Sequence, residues 1–150
     1  MAGPIEENYQ TVLENTEGWK YVEYLGKIPH SSVESEYKGA IAGMAVNQWS
    51  QIRGEGTLGN TKLFEAMAAE VPVICTDYRL WKDIIDEYKC GICVDSDNID
   101  DIANAITYIR NNPGEAKKMG ENGRKAVEEK FNWKTQEKVL NELYHDMLKG

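Results

Sequence analysis

Histidine and cysteine are scarce in this sequence. Its 150 residues hold two histidines, His30 and His145, and three cysteines, Cys75, Cys90 and Cys93. Hydrolysis by a nucleophilic serine or cysteine needs an imidazole beside the nucleophile, and no Ser/His/Asp or Cys/His constellation is present. Cys90-Gly-Ile-Cys93 has the spacing of a metal or redox motif. A zinc site would need two further ligands at suitable spacing, and the isolated histidines do not supply them. A thioredoxin-type motif would open a helix, whereas this segment reads as a turn entering a short strand. The cysteines are therefore expected to be small buried residues, with no metal bound. An odd cysteine count at low density suits a reducing, cytoplasmic setting.

Long apolar runs are also lacking, and every apolar stretch is far too short to span a bilayer. The first residues, MAGPIEENYQ, are neither basic nor followed by an apolar run, so no signal peptide is read there. Basic residues are in deficit: 17 Lys and Arg stand against 25 Asp and Glu, a net charge of -8. So acidic a surface argues against a nucleic acid or an anionic membrane as the main partner. One local cluster of N–H donors can still hold a phosphate on an acidic protein.

What is present is enough for one core. With 41% hydrophobic and 28% charged residues, the composition fits a single globular domain over 1–150, and two would not fit comfortably. Short apolar runs alternate with helical patterns, the signal of a parallel α/β sheet. Met1–Pro4 reads as the end of a strand and a turn, Ile5–Asn15 as a helix, and Tyr21–Leu25 as a strand closed by Gly26. Ser31 and Glu34 have capping-box spacing and are expected to start a helix. Ala40–Val46 reads as a buried strand, Gln48–Asn60 as a polar, glycine-bearing loop, Thr61–Ala69 as a very apolar helix and Val71–Thr76 as a strand. Helix Leu80–Tyr88, strand Gly91–Val94 and helix Asp97–Asn111 follow, and Pro113 marks a stop or restart. Glu115–Lys130 and Lys134–Leu148 make the last third helical. A strand needs roughly 5 residues, and Met1 lies too close to its turn, so the domain is expected to be trimmed at its N-terminus.

The most informative stretch is Gly59-Asn60-Thr61-Lys62-Leu63-Phe64-Glu65. A loop runs straight into a helix whose first N–H groups have no internal partner. Together with the helix dipole they suit a phosphate. Asn60 is a natural N-cap, and Gly59 lets the backbone come close to a ligand. Glu65 sits among Leu63, Phe64, Ala66 and Met67, where an ionised carboxylate needs hydrogen-bond donors. Sugar or ribose hydroxyls would serve, and so would a plain pairing with Lys62. Thr61, Lys62 and Glu65 can share one face.

The run Asn60–Asp77 resembles the signature region of the group 1, family-four retaining glycosyltransferases: a glycine or asparagine loop, a Lys-Leu-Phe-Glu helix, then Ala-Gly-x-Pro-Val-Ile. Tyr24–Pro29, Cys90–Asp95, Met119–Ala126 and Phe131-Asn-Trp133 resemble further segments of that family, in the same order. The resemblance implies a Rossmann-like three-layer parallel sheet with helices on both faces, half of a GT-B fold, with a helical C-terminus. It implies binding of an NDP-sugar donor, for transfer of a hexose to an acceptor hydroxyl with retention and without a metal or other cofactor. Glu65 would hold the ribose hydroxyls. The backbone at Gly59, Asn60 and Thr61, with Lys62 beside it, would face the diphosphate and donor sugar, and Ile28 would border the base.

There are departures from the family pattern. The first glutamate of the family's pair should stand eight residues before Glu65, where this chain has Thr57; Glu55 is near and is a candidate substitute, and both are candidate phosphate or sugar contacts. Glu70 stands where glycine is usual. The family's basic Arg and Lys pair would precede Met1, and the acceptor-binding N-terminal domain is expected to lie outside this stretch. Arg53, on the loop, is a phosphate candidate but reads more simply as a solvated side chain. The chain alone is thus expected to be inactive and to expose apolar surface that invites self-association. Peripheral membrane association would belong only to a full-length enzyme. The alternatives are a non-catalytic binding or interaction module and a nucleotide-sugar epimerase of the same fold.

Overall fold

A computed structural model of the chain describes residues 1–47 and 55–149. They fall into two compact units, Met1–Glu36 and Tyr37–Gly150.

In the first unit, helix α1 (Glu7–Glu14) is followed by a 3-10 turn at Glu17–Tyr21 and by helix α2 (His30–Tyr37), which ends at the junction of the units. The expected strand at Tyr21–Leu25 does not form. Tyr21 belongs to the 3-10 turn, and the segment after it makes two backbone bonds, Leu25 N to Met1 O and Gly3 N to Gly26 O, with the Tyr24 hydroxyl donating to Gly3 O. Tyrosine and valine favour strands only where a pleated, half-buried surface receives them, and Tyr21 and Val22 are exposed. The capping box at Ser31 is not used either. The helix begins one residue earlier, at His30 directly after Pro29, so Ser31 lies in its first turn.

The second unit carries the sheet. Strands β1 (Gly43–Ala45), β2 (Val73–Thr76) and β3 (Gly91–Val94) are parallel in the order β1-β2-β3. Helices α3 (Thr61–Ala68), α4 (Arg79–Tyr88), α5 (Ile99–Asn111), α6 (Pro113–Glu129) and α7 (Trp133–Lys149) surround or follow it. β1 and β2 are shorter than their apolar runs; in β2, Val71 and Pro72 are spent on the turn out of α3. Side chains alternate across the pleat. Val73 and Cys75 join Leu63, Ala66 and Met67 of α3 and Trp81, Ile84 and Ile85 of α4 on one face. Ile74 and Val94 meet Ala105 and Ile109 of α5 on the other. The three-layer α/β expectation therefore holds, with the core split by the sheet.

The α3–β2 turn is a Schellman motif. Glu70 N donates to Met67 O and Val71 N to Ala66 O, the two bonds that close a helix through a left-handed residue. That residue is Glu70, with φ 59. A side chain there costs about 1 kcal/mol relative to glycine. Glu70→Gly should raise the melting temperature by about 2–4 °C for a chain of this size, read by thermal denaturation. An unchanged or lower value would mean that the Glu70 side chain contributes something that offsets the strain.

Helix α6 packs against the end of α3 through glycines. A Cβ on Gly120 would lie 2.0 Å from Glu70 O, and one on Gly123 would lie 3.2 Å from Met67 Cα. Gly120 and Gly123 are one turn apart and buried. Arg124, held by Glu128 at 2.6 Å, donates through Nη1 to Ala68 O at 2.6 Å, and Asn122 donates to Lys89 O. A cation at the carbonyl end of α3 also suits that helix's dipole. So the Met119–Ala126 segment serves the ends of two helices that flank the sheet. Helix α7 has no buried residue and leaves Trp133, Leu143, Met147 and Leu148 more than half exposed. Among the described residues no helix is long and apolar enough to cross a membrane.

The cysteines are free. Cys75 and Cys90 are fully buried, and Cys93 is partly so. Cys75 and Cys93 are register partners on β2 and β3, with sulfurs 3.8 Å apart. Burial pushes the Cys90 thiol up to about 11. The hydrogen bond to Cys93, reinforced by burial, raises that of Cys75. Cys75 and Cys90 are packed as small apolar groups, whereas the hydrogen bond to Cys75 lowers the thiol of the partly buried Cys93.

Candidate functional site

Helix α3 starts after β1 and the connection that follows it, so its N-terminus lies at the carboxyl edge of the parallel sheet, where ligands of open α/β folds bind. Asn60 is its N-cap, in extended conformation, and its Oδ1 accepts from Lys62 N at 3.1 Å. Thr61 and Lys62 have exposed side chains on the first turn. Glu65 follows one turn on, half-buried between Leu63, Ala66 and Met67, which are fully buried. The helix turns Leu63, Ala66 and Met67 into the core and leaves Thr61 and Lys62 exposed and Glu65 half-buried. Tyr37 packs against the same core cluster. Its phenol is pushed above its ordinary value, first by burial and then by the Glu65 carboxylate, which places the two groups in one electrostatic environment.

The segment before α3 is held by one bond of its own and by bonds from α4. Gly59 N donates to Thr57 Oγ1 at 3.0 Å. Thr57 O accepts from the indole Nε1 of Trp81 at 2.8 Å. Glu55 O accepts from Leu80 N, and the Glu55 side chain is exposed. Thr57 is thus engaged in shaping the loop. Gly56 has φ 80 and passes so near Tyr78 that a Cβ would lie 2.8 Å from the tyrosine's own. Asn47, just past β1, is bound by Thr76 on both its N–H and its carbonyl, which also accepts from the Tyr78 hydroxyl.

At the same carboxyl edge, Asp77 Oδ1 and Ser96 Oγ are buried without a hydrogen-bond partner among the described residues. Such orphaned groups are rare and mark places where something beyond core packing is at work. Among the described residues no group of three or more His, Cys, Asp or Glu is placed to hold a metal ion.

The structure thus brings together Gly59, Asn60, Thr61, Lys62 and Glu65, with Glu55 and Thr57 in the adjoining loop. Ile28 is half-buried in the first unit. Arg53 lies outside the described residues, as does the 48–54 part of the expected loop. Sequence reasoning missed Tyr37, Tyr78 and Trp81. The first two were plain aromatics, and Trp81 was one apolar position of an amphipathic helix; no local pattern signalled a loop contact.

A model of the family described as "Glycosyl transferases group 1" matches residues 1–126. The chain belongs to this family. It is 34% identical over 91 residues to the capsular polysaccharide biosynthesis glycosyltransferase CapM of Staphylococcus aureus, a match over 61% of this chain and 24% of that protein. It is 33% identical over 75 residues to a sucrose synthase of Denitrovibrio acetiphilus, covering 47% of this chain and 10% of that one. Sucrose-phosphate synthase from Thermosynechococcus elongatus superposes with a TM-score of 0.79 at 22% identity, over 99% of this chain and 38% of its own. That likeness shows the fold, half of a GT-B arrangement. The chain spans well under two thirds of each of these proteins.

Proposed function

We propose that this group 1 glycosyltransferase chain is the donor side of a hexosyltransferase that acts with retention, 1–150 forming one nucleotide-sugar-binding domain. The observation that carries the reading is the Asn60-capped N-terminus of α3 at the carboxyl edge of the sheet, with half-buried Glu65 one turn on. The free N–H groups and the helix dipole would take the diphosphate of an NDP-sugar and would stabilise charge growing on it as the sugar leaves. Glu65 would accept hydrogen bonds from the ribose hydroxyls, acting through binding and not through proton transfer. Thr61 and Lys62 would lie along the diphosphate. No cofactor enters this scheme. Transfer would further involve an acceptor-binding half. The exposed apolar residues of α7 are the surface through which it would self-associate. The unpaired thiols suit a cytoplasmic setting.

The test is thermal stability of the chain against UDP-, GDP- and ADP-sugars, with Glu65→Ala in parallel. One nucleotide at 100 times its Kd should stabilise by about 2.7 kcal/mol. The variant should lose most of that gain while keeping the unliganded stability. A gain that survives in Glu65→Ala removes the carboxylate from the site. No gain at millimolar concentration with any of the sugars overturns the donor reading for this chain.

A further inference from the structure

The loop entering α3 is held from outside its own helix. Four ties run to the segment Thr76–Trp81, the end of β2 and the first turn of α4. Thr76 and Tyr78 bind Asn47, Leu80 N binds Glu55 O, and Trp81 Nε1 binds Thr57 O at 2.8 Å. Trp81 and Tyr78 are fully buried and meet edge-to-face, ring centroids 4.9 Å apart. Their rings therefore have little freedom, and the indole N–H points in one direction. It reaches a carbonyl only three residues before the cap of α3, and Thr57 in turn receives Gly59 N through its hydroxyl. Gly56 is the residue that lets the loop lie against this pair.

We propose that Trp81 is a positioning residue for the donor site: its indole N–H sets the path of residues 55–60 and hence the aim of the α3 N-terminus. A fully buried indole N–H needs an acceptor, and the one it has is the loop carbonyl of Thr57. Phenylalanine would fill most of the same space without the bond. The functional side of this inference rests on the donor reading; the mechanical side does not.

Two substitutions test it. Trp81→Phe removes the N–H from the core side, and Gly56→Ala disturbs the same docking from the loop side. Amide hydrogen exchange is followed residue by residue in the full chain, along with affinity for whichever of UDP-glucose, GDP-mannose and ADP-glucose stabilises the wild type. Both variants should exchange at least tenfold faster at amides 57–62, with β2 and the later turns of α4 within twofold of wild type. Both should also bind the sugar nucleotide at least tenfold more weakly. Exchange that rises equally in loop and sheet makes Trp81 a packing residue only and overturns the proposal, as does unchanged exchange in the loop. If the wild type binds none of the three nucleotides, the donor reading fails, and the exchange result still decides whether Trp81 positions the loop. A faster loop with unchanged affinity confirms the tie and refutes its bearing on the site.

Discussion

Gly120→Ala should be among the most damaging single substitutions in this chain, costing about 3 kcal/mol or more against the 1–3 kcal/mol typical of overpacking. The added methyl would lie 2.0 Å from the Glu70 carbonyl oxygen and 2.7 Å from its carbon. Both are backbone atoms, so no side-chain rotation relieves the clash. Glu70 already sits at φ 59 inside the Schellman turn, where its N–H and that of Val71 are committed to α3. Helix α6 must instead move away from α3, which breaks the Arg124–Ala68 bond and uncovers Met67. A domain of this size is stable by only about 5–15 kcal/mol. Urea unfolding should show a midpoint shift with an unchanged slope. A loss under about 1 kcal/mol would mean that α6 rides on α3 more loosely than these distances state. Glycine within a helix costs up to about 1 kcal/mol relative to alanine, so the close contact with Glu70, and not conformation, accounts for glycine at this position.

Trp81→Ala should cost about 3–5 kcal/mol, the range for emptying a buried aromatic site. The side chain has no exposed surface and is among the largest fully buried ones. Its loss would also strip Tyr78 of its edge-to-face neighbour and leave Thr57 O without its donor. Chemical denaturation would measure the cost, and Trp81→Phe should recover most of it. If the alanine and phenylalanine variants were equally unstable, the hydrogen bond and not the volume would dominate.

The sequence made most of the second unit legible, for local reasons. Helix α4 and helix α5 show one apolar face each, and β3 was delimited by Gly91 and by the acidic run after Val94. Asn60 and Glu65 were readable because capping and one-turn spacing are properties of neighbours. The first unit was less legible. Tyr21–Leu25 has strand-like residues, but strand formation depends on a partner that local sequence does not specify. Ser31 and Glu34 have the right spacing, yet Pro29 fixes the turn one residue ahead of them and α2 begins there. The ties from Trp81 to Thr57 and from Thr76 to Asn47 span 24 and 29 residues, and nothing in the periodicity of α4 distinguishes an indole that packs from one that also donates. The glycines of α6 were noticed through resemblance, and their reason emerged only against the end of α3.

The clasp of α6 on α3 also bears on the order in which the chain becomes competent. Arg124 and Ala68 lie 56 residues apart, so the helix carrying Asn60 and Glu65 is synthesised long before the residues that close its far end. At about 5–20 residues per second, translation leaves that helix unsecured for seconds, with Met67 and the Glu70 turn uncovered. A nascent chain halted before Gly120 would hold the whole Gly59–Glu65 motif and lack the helix that seats it.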